Sequence, residues 1–447
     1  MQHDPPAVRR ICLFVFGLTL ALTLGQGLVR FHHVLGARGQ TFIDLNEADA
    51  LVHVTIAQRI LDGRGYTLPT SGPDGRQESE PAFTKAPGYP YLLAGLFRVT
   101  GICFSFFPLQ CLIGGCLSVL VVLVSAETFG DPLAALFAGV GAAVNPILVN
   151  TASQLYNENL YFCLFFLCIW LYMRWRRAPS PGLALACGGC AGVTALIRES
   201  ILLPFAALML WTVFSGWRKN RVAALGSALA MAAGLIATVI PWTVRNYVVT
   251  GEFVPISTIS LNSLGTANNS CVAAGGWSEP FYENEPCPSL DAQRAALLAS
   301  WNKGTQVVYR SRANAALGRR YILQHPGEFL KLSARRAWTV FDPWHPRQHL
   351  SGGKKWVMLL YFLVFVATGI VGAVWVWMHG APFQAKALTV LLLASYAAMA
   401  AVTVSHDHRY AVGMHLILGC FAGAWLAHFP LARGVIRTSR QAAEDGS

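Results

Sequence analysis

Charge is what this sequence lacks most. Of its 447 residues 13% are Asp, Glu, Lys or Arg and 54% are apolar. That balance argues against an ordinary soluble protein of two or three domains and makes the bilayer the natural solvent. The net charge of +12 is not a sign of nucleic acid binding, because the bases sit in small clusters between apolar runs, where membrane topology accounts for them. No glycine-rich phosphate loop follows a strand, which argues against ATP-driven transport. No internal repeat and no long charged linker occurs either, so residues 1–447 read as a single membrane unit. His406, Asp407 and His408 fill one tight turn, but three or four ligands in such a turn cannot all point inward. Neither a metal nor another cofactor is expected.

What is present is a series of hydrophobic runs. Stretches of roughly 17 to 25 apolar residues can cross a hydrocarbon core about 30 Å thick. They lie at residues 11–29, 106–126, 132–149, 222–244, 356–378, 387–404 and 410–429. Residues 155–173, 182–197 and 200–214 are shorter or carry charges at their ends, and one pair of these would equally serve as a re-entrant segment. The expected fold is an all-α polytopic membrane protein of about ten transmembrane helices. The first run lacks a small-x-small cleavage site and is followed by more spans, so it is read as retained.

If ten spans alternate, the clusters Arg9 and Arg10, Arg174 to Arg177, Arg218 to Arg221, Lys386, and Arg433 to Arg440 fall on one side. The positive-inside rule places that side, with both termini, in the cytoplasm. Two long segments are then extracytoplasmic: residues 30–105, and residues 245–355 before the last three spans. Seven of the eleven cysteines, Cys111, Cys116, Cys163, Cys168, Cys187, Cys190 and Cys420, lie in spans and read as small apolar residues. Cys271 and Cys287 lie in the second outer loop, where a disulfide is permitted.

The first outer loop predicts an amphipathic surface helix over residues 46–61, with Leu51, Val54, Ala57 and Leu61 on one face. A second, more apolar helix follows Pro87-Gly88-Tyr89-Pro90. The second loop predicts a helical segment over residues 291–338. Acidic residues are few, so their places inform. Asp44, Glu47 and Asp49 cluster at the start of the surface helix, and Asp49 shares a face with His53, four residues on. Asp49 suits two roles: an acid stabilising a helix N-terminus, or a proton acceptor. Glu158 stands at the edge of a span, where a carboxylate is costly unless paired or facing water. Arg198 beside Glu199 fits an ion-paired helix end as well as a ligand. Lys85 and Arg245 lie at the expected outer surface, where they meet either a lipid-linked phosphate or lipid head groups.

These elements, taken in order, resemble a known family. Asp49-Ala-Leu-Val-His53-Val-Thr-Ile-Ala57 with Gly63-Arg-Gly-Tyr66, then Lys85-Ala-Pro-Gly-Tyr-Pro90, Glu158, Arg198, Pro241-Trp-Thr-Val-Arg245-Asn246-Tyr247, Asn268-Asn269, His325-Pro-Gly-Glu-Phe329 and Arg409-Tyr410 are similar to the GT-C superfamily of membrane glycosyltransferases. The branch is that of the protein O-mannosyltransferases and lipid A aminoarabinose transferases, glycosyltransferase family 39. His53 stands where the family usually has tyrosine.

The resemblance implies transfer of a sugar from a polyprenyl-phosphate carrier to a lipid, glycan or protein acceptor on the outer face of the inner membrane, with inversion. It makes Asp49 the general base, with Asp44 and Glu47 as fallback candidates. Glu158 would orient the sugar or acceptor, and Lys85, Arg245 and Arg409 would bind the donor phosphate. His53, Asn246, Asn268 and Asn269 are secondary candidates. Two other readings stay open. An O-antigen-type ligase would rely on Arg319, Arg320, His325, Arg335 and Arg336 in the late loop. A non-enzymatic lipid or glycan transporter would be expected to show inverted repeats.

Overall fold

The computed structural model describes residues 5–38, 48–71, 77–100, 106–273, 288–301, 307–339, 353–402 and 411–428. The first apolar run forms α1 (Pro5–Arg38), which continues well past residue 29. After it come α2 (Ala48–Leu61), an antiparallel hairpin of β1 (Thr67–Ser71) and β2 (Gln77–Pro81), and α3 (Gly88–Thr100). The hairpin was not expected. Its strands lack the alternation that marks a half-buried strand and each carries a proline, which sequence pattern reads as loop.

Helix α2 lies where it was expected, with one correction. Leu51 is 44% exposed, and the buried face runs through Ala50, His53, Val54 and Ala57. These positions keep the i, i+3, i+4, i+7 spacing of one helical face. They pack on Tyr89, Leu93 and Ala94 of α3.

The next runs form α4 (Phe106–Phe129), α5 (Pro132–Ala143), α6 (Pro146–Thr151), α7 (Glu158–Arg177), α8 (Pro181–Ile197) and α9 (Leu202–Thr250). Residues 132–149, expected as one span, break at Asn145. Its Oδ1 accepts from the Ile147 and Leu148 amides at 3.0 and 3.1 Å, and its Nδ2 donates to the Tyr361 hydroxyl at 2.7 Å. Asn145 thus caps α6, while Pro146 has no amide to carry the ladder across. Helix α9 joins two runs that were expected separately. It bends at Asn220, whose φ of −158° and ψ of 94° are not helical. Along its second limb α8 packs closely, since a Cβ at Gly188 or Gly234 would fall on the carbonyl of Met231 or Leu185. Small residues at helix contacts are how membrane helices approach one another.

The late loop holds α10 (Ile259–Ala267), α11 (Ser270–Ala273), α12 (Pro288–Ser300), α13 (Val307–Gln324) and α14 (Pro326–Thr339). The single segment expected over residues 291–338 is therefore divided, with Pro326 opening α14. Last come α15 (Gly353–Tyr361), a π-helical turn (Phe362–Ala367), α16 (Thr368–Met378), α17 (Phe383–Val402) and α18 (Val412–Leu426). Helix α18 is buried almost throughout. By length and composition four helices can cross a membrane: Pro6–Val29, Phe106–Phe129, Glu199–Thr250 and Lys355–Met378. Pro132–Ala143, Pro181–Ile197, Phe383–Ala397 and Val412–Leu426 are apolar but shorter. The architecture is an all-α membrane bundle with one small hairpin, and ten full spans are not reached by this measure among the described residues.

Candidate functional site

One end of the bundle gathers the N-termini of α4 and α7, the C-termini of α8 and α9, and the α2–hairpin–α3 segment. Tyr66 organises its cationic side. The Tyr66 hydroxyl donates to the backbone carbonyls of Lys85 (3.0 Å) and Ala86 (3.2 Å). Its own carbonyl accepts from Arg245 Nη2 at 3.1 Å. The Arg245 guanidinium lies over the Tyr66, Phe83 and Trp242 rings, 5.6, 5.4 and 4.8 Å from their centroids. Arg245 Nη1 also donates to Asn246 Oδ1 at 3.1 Å. Two of its five N–H donors are so engaged, and the aromatic cage fixes the direction of the rest. Burial pushes the Tyr66 phenol far above its ordinary range, so it stays a neutral donor.

On the carboxylate side Glu158 is buried at the start of α7 and pairs with Arg198 Nη1 at 2.9 Å. Arg198 also lies over the Tyr161 ring at 5.8 Å. Tyr89 stands between this pair and α2. Its hydroxyl accepts from Gln110 Nε2 at 3.1 Å, and its ring meets His53 edge-on at 5.1 Å. Burial and then the Glu158 carboxylate hold the Tyr89 phenol well above its ordinary range. Gln110 makes a second bond, 2.6 Å to the Tyr156 carbonyl. Gly88 brings the segment close, since a Cβ there would stand 2.5 Å from Ile197 Cδ1 and 2.9 Å from the Leu196 carbonyl. The chain from Lys85 to Tyr89 thereby joins the two sides. Asp49 lies in α2 one turn before His53, and its side chain is outside the described residues.

Other candidates fall elsewhere. Asn246 is fully buried and donates to the carbonyls of Val254 (2.9 Å) and Ile256 (3.0 Å), which clamps the chain after α9. Asn268 and Asn269 lie beyond α10. Asn268 Nδ2 donates to the Leu264 carbonyl and its Oδ1 accepts from Arg336, while Asn269 Oδ1 caps α11 through the Cys271 and Val272 amides. Burial pushes Arg336 down to about 10, and it holds the end of α10 through the Ala267 carbonyl. Glu199 does not pair with its neighbour Arg198. It accepts from Ser260 Oγ at 2.8 Å. Cys271 is disulfide-bonded. Asp44, Glu47, Cys287 and Arg409 lie outside the described residues.

Gln110 was not singled out from the sequence, and neither were the ring roles of Phe83 and Trp242. A usable signal existed for Gln110: it is a polar side chain one turn inside an apolar run, and such residues in membrane helices mark functional sites.

Comparison with solved structures places this geometry in a known fold. The archaeal oligosaccharyltransferase AglB from Archaeoglobus fulgidus, in complex with an inhibitory peptide and a dolichol-phosphate, aligns over 95% of this chain with a TM-score of 0.53 and 14% identity. The Archaeoglobus fulgidus oligosaccharyltransferase in its apo form gives 0.57 over 97%, again at 14% identity. This chain spans 52% of the length of either. ArnT from Cupriavidus metallidurans, bound to undecaprenyl phosphate, aligns over 92% of this chain and 77% of its own, with a TM-score of 0.42 and 17% identity. This chain thus shares its fold with the two oligosaccharyltransferase structures.

The family match is narrower. Residues 84–242 match the model described as dolichyl-phosphate-mannose-protein mannosyltransferase, a stretch that holds Lys85, Gln110, Glu158 and Arg198 but neither Asp49 nor Arg245. No curated protein matches the chain.

Proposed function

We propose that this protein is an inverting glycosyltransferase of the cytoplasmic membrane. It moves a sugar from a polyprenyl-phosphate donor to an acceptor hydroxyl on the extracytoplasmic face, both termini lying in the cytoplasm and about ten helices spanning the bilayer. One observation carries the reading: Tyr66 ties the Lys85 backbone to the Arg245 guanidinium at the same end of an apolar bundle as the buried Glu158–Arg198 pair. The dolichol-phosphate bound by the structurally similar archaeal enzyme supports a lipid phosphate as the donor's leaving group.

In the proposed step the acceptor oxygen attacks the anomeric carbon as the carbon–oxygen bond to the phosphate breaks. The hydroxyl proton passes to the Asp49 carboxylate, and the electron pair of the broken bond leaves with the polyprenyl phosphate. Lys85 and Arg245, joined by Arg409, offset the charge that grows on that phosphate, an interaction stronger in the transition state than in the ground state. Caged by aromatic rings, Arg245 needs little reorganisation to do so. Glu158, fixed by Arg198, orients the sugar or acceptor through the Tyr89 region. His53 sets the packing between α2 and Tyr89, and so the height of Asp49.

The test is transfer by the purified protein in lipid, given polyprenyl-phosphate sugars, with Asp49→Asn and Lys85→Ala beside the parent. Both variants should lose transfer. Undiminished transfer by Asp49→Asn rejects its role as base, and loss confined to late-loop arginine variants favours a ligase.

A further inference from the structure

Away from this site, α12 and α13 enclose a second cleft of about 590 Å³, a volume within the range of small-molecule and glycan sites. Its lining includes Leu297, Gln293, Arg320, Tyr321, Gln324 and His325. The Tyr321 and His325 rings meet with centroids 4.8 Å apart and their planes inclined by 42°, so two ring faces border the cleft at an angle. Gln293, Arg320 and Gln324 make no side-chain hydrogen bond to the protein among the described residues. Asn268 and Asn269, also in the lining, are already committed to α10 and α11.

The cleft therefore presents unspent amides and two inclined rings beside apolar side chains. Sugars offer the complementary surface, a ring of hydroxyls around a weakly polar face. Among the described residues Arg320 is the one charged side chain in the lining, and none of them there is a carboxylate. The nearest acid on α12, Asp291, is paired with Arg294 at 2.5 Å. A peptide has less to gain here, because the walls are helical and offer no sheet edge for its backbone to join.

The cleft is also coupled to the candidate active site. Helix α10 starts at Glu199, through Ser260, and beside Lys85, through the Thr258 amide bonded to the Phe83 carbonyl at 2.7 Å. It ends at Asn268 in the cleft wall, nine residues or roughly 14 Å further on. From this geometry we infer that the cleft between α12 and α13 binds an anionic glycan chain and holds the distal part of the acceptor while its end is glycosylated. The binding itself stands independently. Its role as an acceptor site rests on the transfer reading.

The experiment measures binding of hexagalacturonate to the full chain in nanodiscs by calorimetry, with maltohexaose and a neutral glycine–serine hexapeptide as comparisons. The parent and Lys85→Ala should bind hexagalacturonate alike, and both should bind it more tightly than maltohexaose. Arg320→Gln and Tyr321→Ala, both at accessible positions, should each weaken it at least tenfold. The cleft assignment is overturned if these variants bind as the parent does, if the parent binds no hexagalacturonate, or if the peptide binds as tightly. Because Lys85→Ala separates binding from transfer, failure of the cleft and failure of the transfer reading give different results.

Discussion

The two ends of the bundle use the same kind of ion pair, with the arginines open to water at one and enclosed at the other. At one end Arg177 and Arg174 reach Glu127 at 2.5 and 4.0 Å, the arginine side chains 41% and 52% exposed and that of Glu127 11%. At the other, Arg198 and Glu158 meet at 2.9 Å with 19% and 6% exposure. In the first group water and salt reach both arginines, which draws the contribution of each pair toward the roughly 0–1 kcal/mol of surface pairs. The second is shielded, so removing one partner leaves a buried charge at a cost of about 3–5 kcal/mol. Charge kept away from water is also the charge that can act on a reacting phosphate. Under the proposed function, the comparison separates an end that orients the protein in its membrane from an end that carries the chemistry.

Variants at each end sharpen that contrast. The largest effect is expected for Asp49→Asn, with transfer falling about 10²–10⁴-fold as the general base is lost, read in the polyprenyl-phosphate assay with the melting temperature unchanged. Arg198→Ala should come next, lowering stability by about 3–5 kcal/mol in thermal unfolding. Arg198→Ala combined with Glu158→Gln should recover part of that loss, and no recovery would show that the pair is not what Arg198 supports.

Tyr66→Phe removes the hydroxyl that holds the Lys85 and Ala86 carbonyls. A loss of about 1 kcal/mol of positioning should lower kcat/KM about fivefold while the aromatic cage, and with it stability, is kept. Arg177→Ala at the opposite end should cost under about 1 kcal/mol and leave transfer intact. A large loss of activity there would erase the distinction between the ends.

Much of the fold was legible because its signals are local. Apolar runs and their arginine-rich turns marked α1, α4, α8 and both limbs of α9, and the helical spacing of Val54 and Ala57 marked α2. What escaped depended on partners distant in sequence. Asn145 breaks a run that looks continuous, because its side chain caps α6 and reaches Tyr361. Leu51 faces out because α3 meets α2 on the neighbouring stripe. Glu158 finds Arg198 forty residues away, whereas sequence adjacency suggested that Arg198 would pair with Glu199. Gln110 looked like one polar residue in an apolar run until Tyr89 and the Tyr156 carbonyl stood on either side of it.

The sequence by itself determined that the chain lives in a bilayer, where most of its helices lie, and in what order its few charged residues occur. Those properties follow from hydrophobicity and periodicity, which act over a few turns. Tertiary structure alone decided which charges are paired, which are caged and which face an open cleft. A charge acquires its partner and its dielectric surroundings only when segments far apart in the chain close around it.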